Sequence, residues 1–219
     1  MVTGGYPRES GKKSEVIDVQ DPTRTCASLP DVPYGEYYMP NCGVIDGKLI
    51  VCQYYKCFEL QNNGNGWTEF ATLTNRMKYG VGAVVNNSIF LFGSAYVSNA
   101  PFSEFLYSDG STEDGPDLYM SDGNGDFGMC AVTLSTGNVM LMGGELNQQR
   151  VGVFNPTTGS YTSMAELNFD RYFSACTTFY SAKHGQREVV YIGGGDNNGG
   201  YKTVEILDYT LTETWEQSK

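Results

Sequence analysis

The chain has a single histidine, His184, and only 14 lysines and arginines against 25 acidic residues. One histidine leaves no pair for a zinc site and no His-based acid–base couple or triad with its usual partners. It falls in the turn SAKHGQ (181–186), where it is expected as a solvated residue on a rim. With a formal net charge of −11 the chain has little to offer as the basic face with which a DNA or RNA binder neutralises phosphates, and no nucleic-acid partner is expected. No apolar run approaches 18 residues, so no membrane span is expected. The first residues, MVTGGYPRES, lack the charged, apolar and small-residue regions of a secretory signal. The compartment therefore stays open between cytoplasmic and extracellular. Charged residues make up 18% of the chain, and the Leu/Ala/Glu/Lys periodicity of helical bundles is missing.

What the chain does have is glycine (27), tyrosine (16) and a repeat. The segments VTGG, IVCQ, LFGS, LMGG and YIGG end at residues 5, 53, 94, 144 and 194, giving steps of 48, 41, 50 and 50 residues. A period of this size signals a solenoid, propeller or array. Each copy follows one grammar. An inner strand such as NCGVI (41–45), GVGAVV (80–85), MCAVTL (129–134) or SACTTF (174–179) comes first. A short Asn/Asp/Gly turn leads to the glycine-ended strand, then a variable loop. A third strand follows: SEVIDVQ, KCFELQ, SEFLYSD, RVGVFNP or KTVEILDY. An aromatic or its stand-in opens the outermost strand: Cys26, Trp67, Tyr161 and Trp215. The third copy, STEDGPDLYM (111–120), has no clear aromatic there. One repeat is thus a four-stranded antiparallel meander that cannot bury both faces alone and must stack on its neighbours. The glycine pair suits a point of close backbone approach.

The glycine doublets, the third-strand run and the Trp or Tyr that follows resemble kelch repeats. The resemblance spans essentially the whole chain and departs from the pattern at Cys52-Gln53, Gly93-Ser94 and Cys26. It implies an all-β fold, a kelch-type β-propeller with four complete four-stranded blades plus one partial blade. The repeats run over about 1–38, 39–78, 79–126, 127–171 and 172–219 in one domain or fragment. An incomplete ring is expected, and a closed five-bladed ring is the alternative.

Chemistry-bearing motifs are sparse. Asp122, Asn124 and Asp126 occupy the first positions of a calcium loop, but Phe127 and Thr133 stand where it needs Gly and Glu. GGGDNNGG (193–200) fits no phosphate-binding pattern. No catalysis, cofactor or metal is therefore expected. Cys42, Cys130 and Cys176 read as small buried hydrophobes on inner strands. Cys52 and Cys57 flank QYYK and could pair across a hairpin, and Asn86-Asn87-Ser88 is a glycosylation triplet that also reads as an ordinary turn.

The resemblance implies a protein–protein interaction module that binds a protein partner through loops on one face. Loops on a rigid scaffold carry function, and tyrosine gives contact area with few rotatable bonds. The candidate binding residues are Tyr54, Tyr55, Arg76, Tyr96, Phe102, Arg150, Arg171 and Tyr201. A glycan-binding or sugar-processing propeller is the alternative reading. A convergent cluster of acids, arginines and aromatics at the central channel would separate it, and a channel lined by Arg76, Arg171 and carboxylates would favour anionic sugars.

Overall fold

Alternating apolar residues between Asn/Gly turns produce strands throughout. The computed structural model describes residues 2–3, 12–16, 20–21, 27–33, 40–62, 64–77, 79–93, 103–116, 128–195, 203–209 and 215–218. These form five antiparallel sheets. The first contains β1 (Val2–Thr3), β2 (Ser14–Val16) and β3 (Ala27–Leu29). The second contains β4 (Asn41–Ile45), β5 (Lys48–Leu60) and β6 (Trp67–Met77). In the third, β7 (Val81–Val85), β8 (Ser88–Phe92), β9 (Ser103–Tyr107) and β10 (Thr112–Asp114) lie side by side in chain order. The fourth repeats this order with β11 (Cys130–Thr133), β12 (Val139–Met142), β13 (Val151–Asn155) and β14 (Ser160–Ser163). The fifth has β15 (Ala175–Ser181), β16 (Arg187–Gly193), β17 (Val204–Leu207) and β18 (Glu216–Ser218). Among the described residues, no helix is long and apolar enough to cross a membrane.

The second sheet has three strands by hydrogen bonding but four lanes. Cys52 and Cys57 both lie in β5, and their Cα atoms are 4.0 Å apart. Five extended residues would span about 16 Å, so the chain reverses inside β5. Tyr54 has a φ of 62°, in the left-handed region, at this reversal, and a disulfide joins the two cysteines.

First strands adjoin in sequence: β4 lies beside β7, β7 beside β11 and β11 beside β15. This is a propeller-like arrangement, with apolar layers between sheets. Ile45, Ile50, Ile89 and Leu91 fill the layer between the second and third sheets. Phe90, Phe92, Val139, Leu141 and Phe154 fill the next layer, with Phe90 and Phe154 stacked at 4.8 Å. Met140, Met142, Val190, Ile192 and Trp215 fill the one after that. A second disulfide, Cys130–Cys176, ties β11 to β15. These two cysteines, expected as free thiols, are instead bridged, because two inner strands bring them within 6.0 Å at their Cα atoms. Cys42 is free and exposed.

Polar contacts join the layers as well. The Trp67 indole donates to Pro30 O at 2.8 Å, and the Trp215 indole to Ala165 O at 3.1 Å. In both cases an outer-strand tryptophan holds the segment that leaves the preceding sheet. Tyr161 pairs with Phe154 as Thr112 pairs with Leu106, so Thr112 takes the aromatic's place in the third sheet. At the opposite end of the stack, Glu188 of β16 accepts from Ser135 N at 3.0 Å and from Ser135 Oγ at 2.5 Å. The Tyr209 hydroxyl also donates to it. Burial alone would raise the Glu188 pKa, but the bonds from Ser135 and Tyr209 outweigh it and hold it below the ordinary carboxylate value.

His184, expected to be solvated, is buried. The long hairpin connection coils into a 3-10 turn, Ala182–His184, that folds it inward. Its Nδ1 lies 3.8 Å from Asp208 Oδ2, which accepts from Arg187 Nε at 2.8 Å.

Trp215→Phe removes one indole donor and part of a packed ring, and is expected to cost about 1–3 kcal/mol in urea unfolding. Because the Glu188 pKa is depressed on folding, its contribution is present above the unfolded carboxylate pKa and disappears as pH falls through the folded value. The stability gap between wild type and Glu188→Gln should therefore be widest near neutrality and close in acid, as read from denaturant midpoints across that range.

Candidate interaction face

In an antiparallel meander, the loop after the second strand and the segment leaving the fourth emerge at the same end of the sheet. Residues 53–56, 143–150 and the loop ends at Gly194 and Thr203 therefore share a face with segments 79–80 and 164–174. The latter links the fourth sheet to the fifth, and it is held on every side. Leu167 N donates to Gln149 O at 2.8 Å, Arg171 N to Gln148 O at 2.8 Å, and Gly144 N to Arg171 O at 2.9 Å.

Its centre is an ion pair. Glu205 and Arg171 side chains are both fully buried, with Glu205 Oε1 accepting from Arg171 Nε at 3.0 Å. Glu205 Oε2 accepts from Asn168 N at 2.6 Å. The guanidinium also donates from Nη1 to Gly194 O at 2.9 Å and to Thr203 O at 3.1 Å. Only a planar fork with several donors can meet a carboxylate and two carbonyls together. The linking segment is thereby fixed to the first residue after β16 and to the start of β17.

The third sheet uses the same device, with no cation on the carboxylate among the described residues. Glu104 of β9, equally buried, accepts from Thr74 N at 2.9 Å and Asn75 N at 3.0 Å. The fourth sheet dispenses with it. Leu91 faces Glu104, Ile192 faces Glu205 and Leu141 faces Gly152, so glycine stands in the carboxylate's place. The Tyr161 hydroxyl occupies that space: a Cβ on Gly152 would lie 1.8 Å from it. Burial pushes the Tyr161 phenol up to about 12.

Gly143 of the fourth sheet's doublet and Gly195, the residue after the fifth sheet's doublet, face the linking segment too. A Cβ on Gly143 would meet Arg171 O at 2.3 Å, and one on Gly195 would meet Tyr172 O at 2.0 Å. The segment lies so close that no side chain fits beneath it.

Three aromatics gather on this face. The Tyr79 and Phe173 rings lie 5.5 Å apart and those of Tyr172 and Phe173 4.1 Å apart. Both Tyr79 and Phe173 have a φ of 51°, a costly left-handed conformation for a bulky residue. Gly128 holds them in place, donating to Tyr79 O at 3.1 Å and accepting from Phe173 N at 2.8 Å. Phe173 is nevertheless 39% exposed. A cleft of about 320 Å³ on the same face is lined by Glu145, Leu146, Gln148, Glu166 and Asp170, with Leu146 53% exposed.

Of the residues expected to bind a partner, Tyr54 and Tyr55 sit at the β5 reversal with rings 5.2 Å apart, half-buried. Arg150 is half-buried beside Asn147, whose amide oxygen, turned toward it, accepts from Nε at 3.1 Å and Nη2 at 2.7 Å. Arg171 is a correction. Its charge is sealed against Glu205 and cannot reach a partner. Arg76 belongs to β6, and its side chain is outside the described residues, as are Tyr96, Phe102 and Tyr201. Cys52 and Cys57 are bridged, and Asn86 is exposed in the β7–β8 turn. Glu104, Glu205, Tyr79, Tyr172 and Phe173 were not anticipated. The carboxylates could have been noticed as acids inside the apolar runs SEFLY and VEIL. The aromatics stand in KYG and RYFS, immediately before inner strands.

No protein-family model matches the chain, and no curated protein does. Among solved structures it is similar to that of YjhT, with 13% identity and a TM-score of 0.67, over 87% of this chain and 67% of that one. At that identity the likeness is one of fold alone.

Arg171→Met leaves the Glu205 carboxylate buried without its cation and is expected to cost about 3–5 kcal/mol. Adding Glu205→Gln to it should recover part of that loss, which a double-mutant cycle in urea would measure.

Proposed function

We propose that the chain is a kelch-type propeller, or part of one, acting as a protein–protein interaction module with no chemistry of its own. The observation that carries this reading is the strained aromatic pair. Two bulky residues, Tyr79 and Phe173, are kept in left-handed backbone at one end of the stack, and Phe173 remains open to solvent. Strain of this kind costs about 1–3 kcal/mol per residue and persists where the surroundings impose it, commonly at binding sites. Rigid aromatics are favoured contact residues because little rotamer entropy is lost when they bind. Leu146 and the carboxylates of the neighbouring cleft suit a partner segment that presents apolar and basic groups together. Against the rival reading, a glycan-binding or sugar-processing propeller, stands Arg171: expected to line a channel for anionic sugars, it is buried against Glu205.

The test uses Phe173→Gly. Glycine relieves the left-handed strain while the ring's packing is lost, so stability should change by no more than about 1 kcal/mol. Proteins captured by cross-linking to the wild type should be lost from this variant and from Leu146→Asp. They should be retained by Tyr180→Ser, which alters an exposed ring near the far end of β15. Undiminished capture by Phe173→Gly would overturn the proposal.

A further inference from the structure

The turn between β7 and β8 holds the chain's one Asn-x-Ser/Thr triplet with a middle residue other than proline, Asn86-Asn87-Ser88. The other triplet of this spelling, Asn155-Pro156-Thr157, is blocked by Pro156. Three structural observations turn this pattern into a site. Asn86 is exposed, and no hydrogen bond engages its side chain among the described residues. Its neighbours are committed elsewhere: Asn87 Oδ1 accepts from Asp46 N of the second sheet at 2.7 Å, and Ser88 Oγ donates to Val85 O at 2.7 Å. Asn86 is thus the member of the triplet whose amide is left pointing outward.

The second observation is redox state. Four of the five described cysteines are bridged, as Cys52–Cys57 and Cys130–Cys176. Disulfides persist in oxidising compartments, which are also where asparagine is glycosylated.

The third is the surface beside the turn. A groove of about 330 Å³ runs between the third and fourth sheets, lined by Asn86, Phe105, Tyr107, Glu113 and Pro156. Tyr107 stands directly opposite Ser88 in the β8–β9 register. Its hydroxyl donates to Glu113 Oε2 at 2.7 Å, which fixes the ring and leaves a carboxylate oxygen at the groove edge. An aromatic face beside a carboxylate suits the apolar face and hydroxyls of a sugar ring.

We propose that Asn86 is an N-glycan acceptor and that the first N-acetylglucosamine packs in this groove against Tyr107. The donor is a lipid-linked pyrophosphoryl oligosaccharide. The sugar C1–Nδ2 bond forms and the C1–O bond to pyrophosphate breaks. Lipid pyrophosphate departs, and Nδ2 loses one proton.

The test takes the full chain secreted by a eukaryotic host behind a cleavable leader, with both disulfides confirmed by mass. One N-glycan mass should be present, and peptide N-glycosidase should remove it and leave aspartate at position 86. Asn86→Asp should lack that mass, while still tolerating the left-handed φ of 47° at this position. A secreted, doubly bridged chain with unmodified Asn86 would overturn the assignment. For the seat, protein trimmed to one sugar should melt at a higher temperature than the fully deglycosylated form. That difference should vanish in Tyr107→Ala, where each variant serves as its own reference. An equal difference in Tyr107→Ala would sink the seat and leave the modification standing.

Discussion

A small β-sheet has two faces and cannot bury both against itself, so this fold depends on what holds one sheet to the next. Apolar layers supply most of the attraction, but they are indifferent to small slips. The buried third-strand carboxylates are not. Glu205 takes a backbone N–H from the segment arriving from the fourth sheet, and Glu104 takes two from the end of β6. A fully buried carboxylate tolerates little displacement of its donors, because an unsatisfied buried charge costs several kcal/mol. The linking segment, Gly143 and Gly195 beneath it and the aromatics that follow it are all positioned by that requirement.

This explains how strained aromatics persist at one end of the stack. Tyr79 and Phe173 each lie a few residues beyond a carboxylate clamp and immediately before an inner strand. Both flanks are fixed, so the backbone between them has little room to relax. The fourth sheet meets the same spatial need differently: with Gly152 in place of the acid, the Tyr161 ring lies across the strand. Two solutions to one packing problem within a single chain show that the space is constant and the chemistry filling it is not.

Much of the architecture was legible in the sequence, because repetition makes weak signals add up. Glycine-ended strands, Asn/Gly turns and the outer aromatics located nearly every strand, including the short β10 where no aromatic marks it. Other features were hidden by small offsets. Arg76 and Arg171 look equivalent in sequence, each shortly before an inner strand. The clamps show otherwise: Thr74 corresponds to Asn168, so Met77 takes the place of Arg171, and both are buried. A cation expected at a surface is thus interior. Likewise, Cys130 and Cys176 each look like a small core residue alone. Their pairing depends on the distance between two inner strands, which local pattern does not carry. The β5 reversal lay between these extremes. Its cysteines were visible as a pair flanking a turn between IVCQ and KCFELQ, while the left-handed backbone at Tyr54 was not.

The Cys130–Cys176 bridge also changes what the chain is as a mechanical object. It closes a covalent loop around β11, β12, β13, β14 and the segment leading into β15. Tension applied at the two ends would pass from Cys130 to Cys176 through sulfur and bypass everything between them. The fourth sheet then bears no load, and about 160 Å of chain cannot be drawn out until the bridge is reduced. Stretching would take the outer parts of the molecule first and leave the fourth sheet as the last structure to extend.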